Sequence, residues 1–348
     1  MQINKTKPRG FAFLMKKALG GGSGEPGGRA IFFPVRDGLR TQKWEIRISA
    51  SPENAKRSPA YPLPRGPSEA GELYFFSHNP IQSWYNKVTI DERKKAMGVI
   101  ISIINQKGGV GKTTTAVNLA AYLADRGKKT LLIDEDAQGN STSGLSKDVE
   151  LKKNLYDVLL DDADAEEAIV KTAVKKLSLL PSSIDLAGAD IELSAMEERE
   201  HILKKKIEAL KDAYDFILID CPPSLGLMTL NALVASDSIL IPIQAEFYAL
   251  EGLSQLVKTV QIVSRKLNPS LRILGILLTM FDGRTNLSLQ VAEEVKTYFG
   301  SKVFKTVIPR TVKLSEAPSF GEPILTYAPK SKGAEAYKKL CREVLKRG

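Results

Sequence analysis

Cysteine and histidine are scarce in this chain of 348 residues, which holds two of each. The cysteines are Cys221 and Cys341, and the histidines are His78 and His201. So few of these residues predict no zinc cluster, no iron–sulfur centre and no Cys/His catalytic pair. The low cysteine content is typical of a reduced cytoplasmic protein with buried thiols.

Long apolar runs are also lacking. No run approaches the roughly 18 apolar residues that a membrane-spanning helix requires. The short apolar run at residues 11–15 is stopped by Lys16 and Lys17, so the sequence predicts no signal peptide there. No membrane association is expected from these features.

Most of the chain lacks an excess of either charge, although the formal net charge is +10. Residues 1–96 hold 17 Lys and Arg against 8 Asp and Glu, whereas residues 97–348 hold 33 against 32. The basic composition therefore describes the first quarter of the chain. It is no argument for nucleic-acid binding by the remainder.

Residues 1–96 differ in composition from everything that follows. They hold nine of the eighteen prolines, and only residues 44–48 show a brief strand-like alternation. One interpretation is a basic arm of low order that contacts DNA. The other is that this extension is not part of the native protein and that Met97 is the true start. Residues 92–95 can all be encoded by purine-rich codons, as a ribosome-binding site just ahead of a start codon would be. In both cases residues 97–348 form the folded domain.

From residue 99 onwards, short apolar runs alternate with helical patterns. Because runs of five or six apolar residues are buried on both faces, this alternation predicts an α/β fold with a mostly parallel sheet and helices on both faces. The predicted strands are residues 99–104, 129–134, 177–180, 216–220, 238–242, 273–280 and 303–308. The predicted helices are residues 115–126, 151–160, 166–174, 193–213, 250–267, 287–299 and 334–346.

Two segments carry further expectations. Residues 135–146 are so rich in Gly, Asn, Ser and Thr that we predict no packing by them. The last helix has an apolar stripe with lysines opposite, a pattern that suits either packing on the sheet or lying on a membrane. We favour packing on the sheet.

The strongest motif is N-Q-K-G-G-V-G-K-T-T at residues 105–114, between the first strand and the first helix. That order surrounds a phosphate with backbone N–H groups and a helix amino terminus. The pattern G-x-x-x-x-G-K-[ST] would have glycine where this chain has Gln106, but its second half matches fully. Lys112 is expected at the β- and γ-phosphates and the Thr113 hydroxyl at Mg²⁺. A glycine-rich turn that binds nothing is the alternative.

With Lys107 ahead of the glycines, this motif resembles that of the deviant Walker A ATPases, and within them the chromosome-partitioning branch called ParA or Soj. The resemblance implies a P-loop NTPase fold and hydrolysis of ATP to ADP and phosphate with Mg²⁺. The nucleotide-binding residues that it implies lie in the motif and after the last strand: Lys107, Gly108, Gly109, Val110, Gly111, Lys112, Thr113, Thr114, Pro309 and Arg310. Its catalytic residues are Lys107, Lys112 and Asp136.

Acidic residues end two of the predicted strands. By resemblance, Asp220 is the Walker B acid that holds the water shell of Mg²⁺, and Asp136 is the switch residue that orients the attacking water. The implied metal site thus consists of Thr113, Asp136 and Asp220. The alternative for such acids is capping of the next helix.

The resemblance also implies partners. A homodimer would form on ATP binding, with Lys107 reaching the partner's nucleotide and Gly108 permitting close approach. Arg284 and Lys313 would contact double-stranded DNA without sequence specificity, the alternative being ordinary surface cations. A ParB-type centromere-binding protein would stimulate hydrolysis, and the protein would be cytoplasmic and nucleoid-associated while segregating chromosome or plasmid origins.

Two rival functions remain. One is a MinD-like membrane-cycling ATPase that positions the division site. The other is an ATP-driven reductase like the nitrogenase iron protein, which needs two cluster cysteines per subunit.

Overall fold

The computed structural model describes residues 30–35, 43–48, 97–146, 149–246 and 249–347. The chain divides into two compact units, Met1–Phe76 and Ser77–Gly348, and each is described by itself. In the first unit, strands β1 (Ala30–Val35) and β2 (Lys43–Ile48) pair antiparallel. The alternation at residues 44–48 lies in β2, and the prediction of low order for the rest of residues 1–96 falls outside the described residues.

The second unit is built on an eight-stranded sheet with the strand order β10-β9-β8-β3-β7-β4-β6-β5. Every neighbouring pair is parallel except β5 and β6, which are antiparallel. The strands are β3 (Val99–Ile103), β4 (Thr130–Asp134), β5 (Val170–Lys171), β6 (Leu177–Leu180), β7 (Phe216–Asp220), β8 (Ser238–Gln244), β9 (Arg272–Phe281) and β10 (Val303–Pro309). The predicted mostly parallel sheet is confirmed.

Helices connect these strands. They are α1 (Lys112–Asp125), α2 (Asn140–Ser143), α3 (Leu155–Leu160), α4 (Ala165–Ala168), α5 (Leu186–Ser194), α6 (Ile202–Ile207), α7 (Leu227–Ala235), α8 (Ala249–Lys266), α9 (Asn286–Phe299), α10 (Val312–Glu316), α11 (Ile324–Tyr327) and α12 (Lys332–Arg347). Short 3₁₀ turns follow α6, α9 and α10, at Glu208–Asp212, Gly300–Lys302 and Ala317–Phe320.

The core lies on both faces of the sheet, as the apolar strands predict. In β3, Ile101 and Ile103 pack with α1 and α12, whereas Ile100 packs with α3, α5 and α6 on the opposite face. Alternate side chains of a strand point to opposite faces, so a strand buried on both faces is mostly apolar. The one polar residue of β3, Ser102, is buried with its hydroxyl bonded to Ala232 O and Ser236 Oγ. This double burial makes β3 a rigid base for the loop that follows it.

The predicted helix at residues 193–213 is wrong, because the segment breaks between α5 and α6. Glu198 adopts a left-handed conformation with φ 49°. The side chain of Asn231 on α7 satisfies the freed backbone: its Nδ2 donates to Arg199 O, and its Oδ1 accepts from Leu203 N. A buried amide on another helix thus replaces the bonds that a continuous helix would have made.

Two other helix predictions are too long. The predicted helix at 166–174 ends at Ala168, because Val170 and Lys171 pair with β6 as an edge strand. The predicted helix at 151–160 begins only at Leu155, where Asn154 accepts from Tyr156 N and Asp157 accepts from Asn154 N. That reciprocal capping box fixes the start of α3.

Packing of α12 on the sheet yields a test that separates this arrangement from a membrane-lying helix. Leu340 is fully buried in the cluster shared with α1 and β10. Leu340→Ala is therefore expected to lower the free energy of unfolding by about 2–5 kcal/mol. Denaturant titration measures the change, and Lys338→Ala, at an exposed position of the same helix, is the control, with an effect below about 0.5 kcal/mol. Equal stability of both variants would contradict the packing.

Candidate functional site

The loop between β3 and α1, residues 104–111, is shaped by two glycines in the left-handed region. Gly109 has φ 73° and Gly111 has φ 87°, and Gly111 is the amino-terminal cap residue of α1. No atom lies within 4 Å of the position that a Cβ of Gly109 would take. The loop therefore exposes its backbone to an open space at the amino terminus of a long helix, which suits a phosphate.

Hydrogen bonds to two strands hold this phosphate loop in place. Asn105 Nδ2 donates to Pro242 O at 2.7 Å, and Asn105 Oδ1 accepts from Lys107 N at 2.9 Å. On the other side, the hydroxyl of Thr279 lies 2.7 Å from Val110 O. The loop is thus anchored to β8 and β9 before any ligand binds.

The two lysines of the motif occupy different environments. The side chain of Lys107 is 47% exposed, and its ammonium pairs with the Glu246 carboxylate at 2.5 Å. Lys112 is only 7% exposed. Burial lowers the pKa of the Lys112 ammonium, and the negative charge of Asp220 offsets part of this effect. Lys112 thus faces the interior of the site, whereas Lys107 lies at its rim.

Asp220, at the end of β7, is nearly inaccessible to solvent, with 1% of its surface exposed. Ser141 Oγ donates to its Oδ2 at 2.8 Å, while its Oδ1 has no hydrogen-bond partner among the described residues. Burial and the neighbouring Asp134 raise the pKa of Asp220 to about 7, against the effect of the Ser141 and Thr113 hydroxyls. A buried carboxylate oxygen without a partner is costly, and a bound ligand would relieve the cost.

Asp134 organises the segment that follows β4. Thr142 donates to its Oδ2 from both the backbone N and Oγ1, each at 2.7 Å. Asp136 N lies 3.3 Å from Asp134 Oδ1, and Ser182 Oγ donates to Asp136 O at 2.6 Å. These bonds position Asp136, whose carboxylate oxygen Oδ1 accepts from Gln138 N at 3.0 Å.

The prediction that residues 135–146 would not pack is wrong. Glu135, Ser141 and Thr142 are all buried, because the two hydroxyl residues hold the buried carboxylates of Asp220 and Asp134. Glu135 is 1% exposed, and neither of its carboxylate oxygens has a hydrogen-bond partner among the described residues. Burial raises the pKa of Glu135 well above its usual range, so its neutral form is favoured. This polar stretch is therefore part of the site.

The donor set fits a magnesium ion held mainly by water and phosphate. No cluster of three or more His, Cys, Asp or Glu side chains able to hold a metal is found among the described residues. Mg²⁺ in nucleotide sites typically takes one or two protein oxygens and completes its shell with phosphate oxygens and water. The unpartnered Oδ1 of Asp220, with the Thr113 hydroxyl at the start of α1, provides such oxygens.

The residues predicted at the adenine follow the last strand of the sheet. Pro309 is the last residue of β10, and Arg310 comes directly after it. The Arg310 Nη2 lies 3.9 Å from the sulfur of Met280, at the end of β9. The structure thus brings Arg310 to the neighbouring strand end, on the same edge of the sheet as the phosphate loop.

Both cations predicted to bind DNA are exposed and paired with an acid two or three residues away in the sequence. Arg284 is 90% exposed, with its Nη2 2.7 Å from Asp282 Oδ2 and its Nε 2.9 Å from Asp282 Oδ1. The hydrogen bonds from Arg284 lower the pKa of Asp282 to about 2. Lys313 pairs with Glu316 at 2.9 Å. Neither cation is part of the phosphate site.

Comparison with known proteins identifies the family. A family model described as an AAA domain matches residues 98–273. The sporulation initiation inhibitor protein Soj of Bacillus subtilis is 59% identical over 253 residues, which cover 72% of this chain and 100% of that protein. The chain belongs to the Soj/ParA family of chromosome-partitioning ATPases. A second member, the chromosome partitioning protein ParA of Myxococcus xanthus, is 54% identical over 252 residues, covering 72% of this chain and 89% of that protein.

Solved structures agree with a P-loop ATPase fold for this Soj/ParA family member. A Mycobacterium smegmatis cobyrinic acid a,c-diamide synthase with bound ADP and magnesium matches with a TM-score of 0.63 and 37% identity, over 72% of this chain and 95% of that chain. The cell division ATPase MinD of Pyrococcus furiosus matches with a TM-score of 0.61 and 34% identity, over 72% and 100%. The predicted ATPase activity and fold class are thus confirmed, and ATP with Mg²⁺ is the ligand that the family implies.

Among the described helices, none combines the length and the apolar character that crossing a bilayer requires.

Four residues of this ATPase's site were not identified from the sequence. Ser141 and Thr142 lie in a stretch whose composition is that of a surface loop, and only their spacing after the acids of β4 could have suggested capping. Glu246 lies just after β8 and Thr279 lies in β9, both far along the chain from residues 107 and 110, and no local signal indicates either contact.

Glycine at residue 111 is expected to be required for backbone reasons, because its φ of 87° is unfavourable for any other residue. Gly111→Ala should lower the free energy of unfolding by roughly 1–2 kcal/mol and weaken ATP binding by displacing the loop. Gly188→Ala, in α5 and outside the phosphate loop, is the matched control, since the Cβ at Gly188 would meet only Glu192 Oε1 at 3.7 Å, an ordinary contact. Denaturant titration and calorimetric titration with Mg-ATP measure both effects, and equal losses in the two variants would refute the backbone argument.

Proposed function

We propose that this chain is a DNA-partitioning ATPase that forms an ATP-sandwich dimer, binds double-stranded DNA without sequence specificity, and releases it after hydrolysis stimulated by a ParB-type centromere-binding protein. The observation that carries the proposal is the division of labour between two lysines. Lys112 is buried beside Asp220, whereas Lys107 lies half exposed at the rim of the same loop. One cation thus serves the chain's own nucleotide, and the other is available to a second subunit.

Within one subunit, the residues of the loop position the nucleotide for hydrolysis. Lys112 places a positive charge beside the β- and γ-phosphates, and the backbone at Gly109 and Gly111 approaches the phosphate oxygens closely. Mg²⁺ when bound would neutralise phosphate charge, held by the Thr113 hydroxyl and, through water, by Asp220. Asp136 orients the attacking water, and Asp134 holds the backbone of Asp136 in place.

Lys107 acts across the dimer interface. Its ion pair with Glu246 is exposed on both sides, and such surface pairs contribute about 0–1 kcal/mol. The partner's phosphates can therefore displace Glu246 at little cost. A second cation at the phosphates would neutralise charge that develops in the transition state, so hydrolysis is tied to dimerisation.

DNA binding uses the same principle of exchange. Arg284 and Lys313 each pair with an acid two or three residues away in the sequence, and a DNA phosphate would replace that acid. A dimer presents two copies of each cation, which a monomer cannot do. Contacts of this kind recognise the phosphate backbone and carry no sequence information.

The ATPase unit of this proposal is residues 97–348, and residues 1–96 form an extension without a role in it. The family match that begins at residue 98 and the match of 253 residues to the whole length of Soj support this division. Action on DNA places the protein in the cytoplasm at the nucleoid, and its cargo is a chromosome or plasmid origin.

A MinD-like membrane cycle is the second candidate, and the likeness to the Pyrococcus furiosus protein favours it. Against it, the apolar face of α12 is occupied, because Tyr337, Leu340, Cys341 and Val344 are buried against the rest of the domain. A reductase with an intersubunit cluster is disfavoured as well, since Cys221 and Cys341 are both buried in different parts of the fold.

Dimerisation should depend on Lys107 and not on ATP binding alone. Lys107→Ala is expected to change the monomer's affinity for ATP by no more than about threefold and to abolish the dimer formed with a slowly hydrolysed ATP analogue. Light scattering measures the mass of the complex. Lys128→Ala, which removes another exposed lysine paired with an acid, should dimerise like the wild type. Dimers of the Lys107→Ala protein would refute the role across the interface.

DNA binding should appear with ATP and not with ADP. The logarithm of the binding constant should fall linearly with the logarithm of the salt concentration, with a slope of about −0.9 per phosphate contact. Arg284→Glu is expected to abolish binding, whereas Lys338→Glu, at an exposed position of α12, should retain it. Fluorescence anisotropy with random-sequence duplex across a salt series measures both.

The same assay tests the rivals. A chain that begins at Met97 should bind DNA equally well if residues 1–96 are dispensable. Binding to anionic vesicles instead of DNA, in a co-sedimentation assay with ATP, would move the MinD-like cycle to first place.

A further inference from the structure

The pairing of β9 with β10 is irregular near the end of β9. Against β10, Leu278 pairs with Val307 and Phe281 with Pro309, so β9 advances three residues where β10 advances two. Met280, inside this interval, has φ 48°. A bulge of this kind re-aims the chain, and a left-handed methionine persists only where the surroundings enforce it.

The residue before the bulge contacts the phosphate loop. Thr279 is 2% exposed, and its Oγ1 lies 2.7 Å from Val110 O and 3.0 Å from Ile243 O. A hydroxyl has one proton to donate, so it bonds either the loop carbonyl or the β8 carbonyl at a given moment. Its methyl carbon lies 3.8 Å from the position that a Cβ of Gly111 would take. Thr279 therefore responds to any displacement of residues 110–111.

The residues after the bulge lead directly to the proposed DNA contact. Met280 touches Arg310, which follows β10 at the predicted adenine site. Two residues further on, Asp282 orients Arg284 through two hydrogen bonds from the guanidinium and one from the Arg284 backbone N at 3.1 Å. The segment from Thr279 to Arg284 thus contacts the nucleotide site at one end and holds the DNA-binding arginine at the other.

We propose that Thr279 is a positioning residue that couples the phosphate loop to Arg284, by exchanging its hydroxyl between Val110 O and Ile243 O as the nucleotide state changes. This coupling rests on the proposed DNA-binding function and deepens it. The two acceptors give the hydroxyl two discrete arrangements, and the bulge at Met280 transmits the choice to the loop of Asp282 and Arg284. Dimerisation supplies two copies of the arginine, and Thr279 sets its placement.

The test compares Thr279→Val with Thr279→Ser in the full chain. Valine removes the hydroxyl and keeps the methyl group, whereas serine keeps the hydroxyl and loses the methyl group. Three quantities are measured for each protein: the affinity for ATP, the dimer mass with a slowly hydrolysed analogue, and the affinity for random-sequence duplex DNA in that state.

With valine, we expect a loss of DNA affinity of about tenfold or more, as for a typical coupling between sites, at an analogue concentration that saturates the nucleotide site and holds the protein as a dimer. Any loss of ATP affinity from the missing contact to Val110 O is measured separately and compensated by that concentration. Serine should restore DNA binding. The coupling is overturned if valine binds DNA like the wild type, if valine loses dimerisation in the same proportion, or if serine is as weak as valine.

A second variant keeps the proposal testable if Thr279→Val fails to fold. Met280→Gly, at a half-buried position, removes the contact to Arg310 and frees the backbone of the bulge. It should dimerise with the analogue and lose DNA affinity, and normal DNA binding would overturn the coupling. A wild-type protein that binds no DNA in any nucleotide state would instead sink the proposed function, and the coupling with it.

Discussion

The structure depends on keeping four ionisable side chains, those of Lys112, Asp134, Glu135 and Asp220, buried at one edge of the sheet. Removing charge from water is costly, and burial lowers the pKa of the lysine while it raises the pKa of each acid. Each group is thus shifted toward its neutral form. Hydroxyls of Ser141 and Thr142 offset part of the cost, but Asp220 Oδ1 stays unpartnered. The site is therefore preorganised for a ligand that brings both phosphate and cation.

The cations proposed to act on other molecules are arranged in the opposite way. Lys107, Arg284 and Lys313 are exposed, and each pairs with one acid of the same chain. Exposed pairs contribute little to stability, so a phosphate of comparable geometry can displace the acid. In the proposed function, the buried charges hold the chain's own nucleotide, and the exchangeable surface pairs are the contacts offered to a partner subunit and to DNA. Lysine thus appears in both arrangements: Lys112 is buried in the phosphate site, and Lys107 is exposed and paired with a surface acid.

The sequence predicted what depends on local pattern, and it missed what depends on distant contacts. The parallel strands of the sheet were found because each is a short apolar run bounded by polar residues, and the phosphate loop because its residues are contiguous. The short edge strand β5 lacks such a run and was predicted as part of a helix. The helix at 193–213 failed because Asn231, on another helix, satisfies a break that no local feature marks. The packing of residues 135–146 was missed because their polar composition indicates a surface loop. No local feature shows that the hydroxyls of Ser141 and Thr142 donate to the buried carboxylates of Asp220 and Asp134.

Strand order brings the segments of the proposed nucleotide and DNA contacts to one sheet, on the two sides of β3. β3, which carries the phosphate loop, has β7 and β4 on one side, and their ends carry Asp220 and the segment leading to Asp136. On its other side lie β8, β9 and β10, and the segments that follow these strands carry Glu246, Arg284 and Lys313. The acids proposed for hydrolysis and the cations proposed for partners are thus separated by β3. Under the proposed coupling, a change at the γ-phosphate would reach the second group through the phosphate loop, which the hydroxyl of Thr279 contacts from β9.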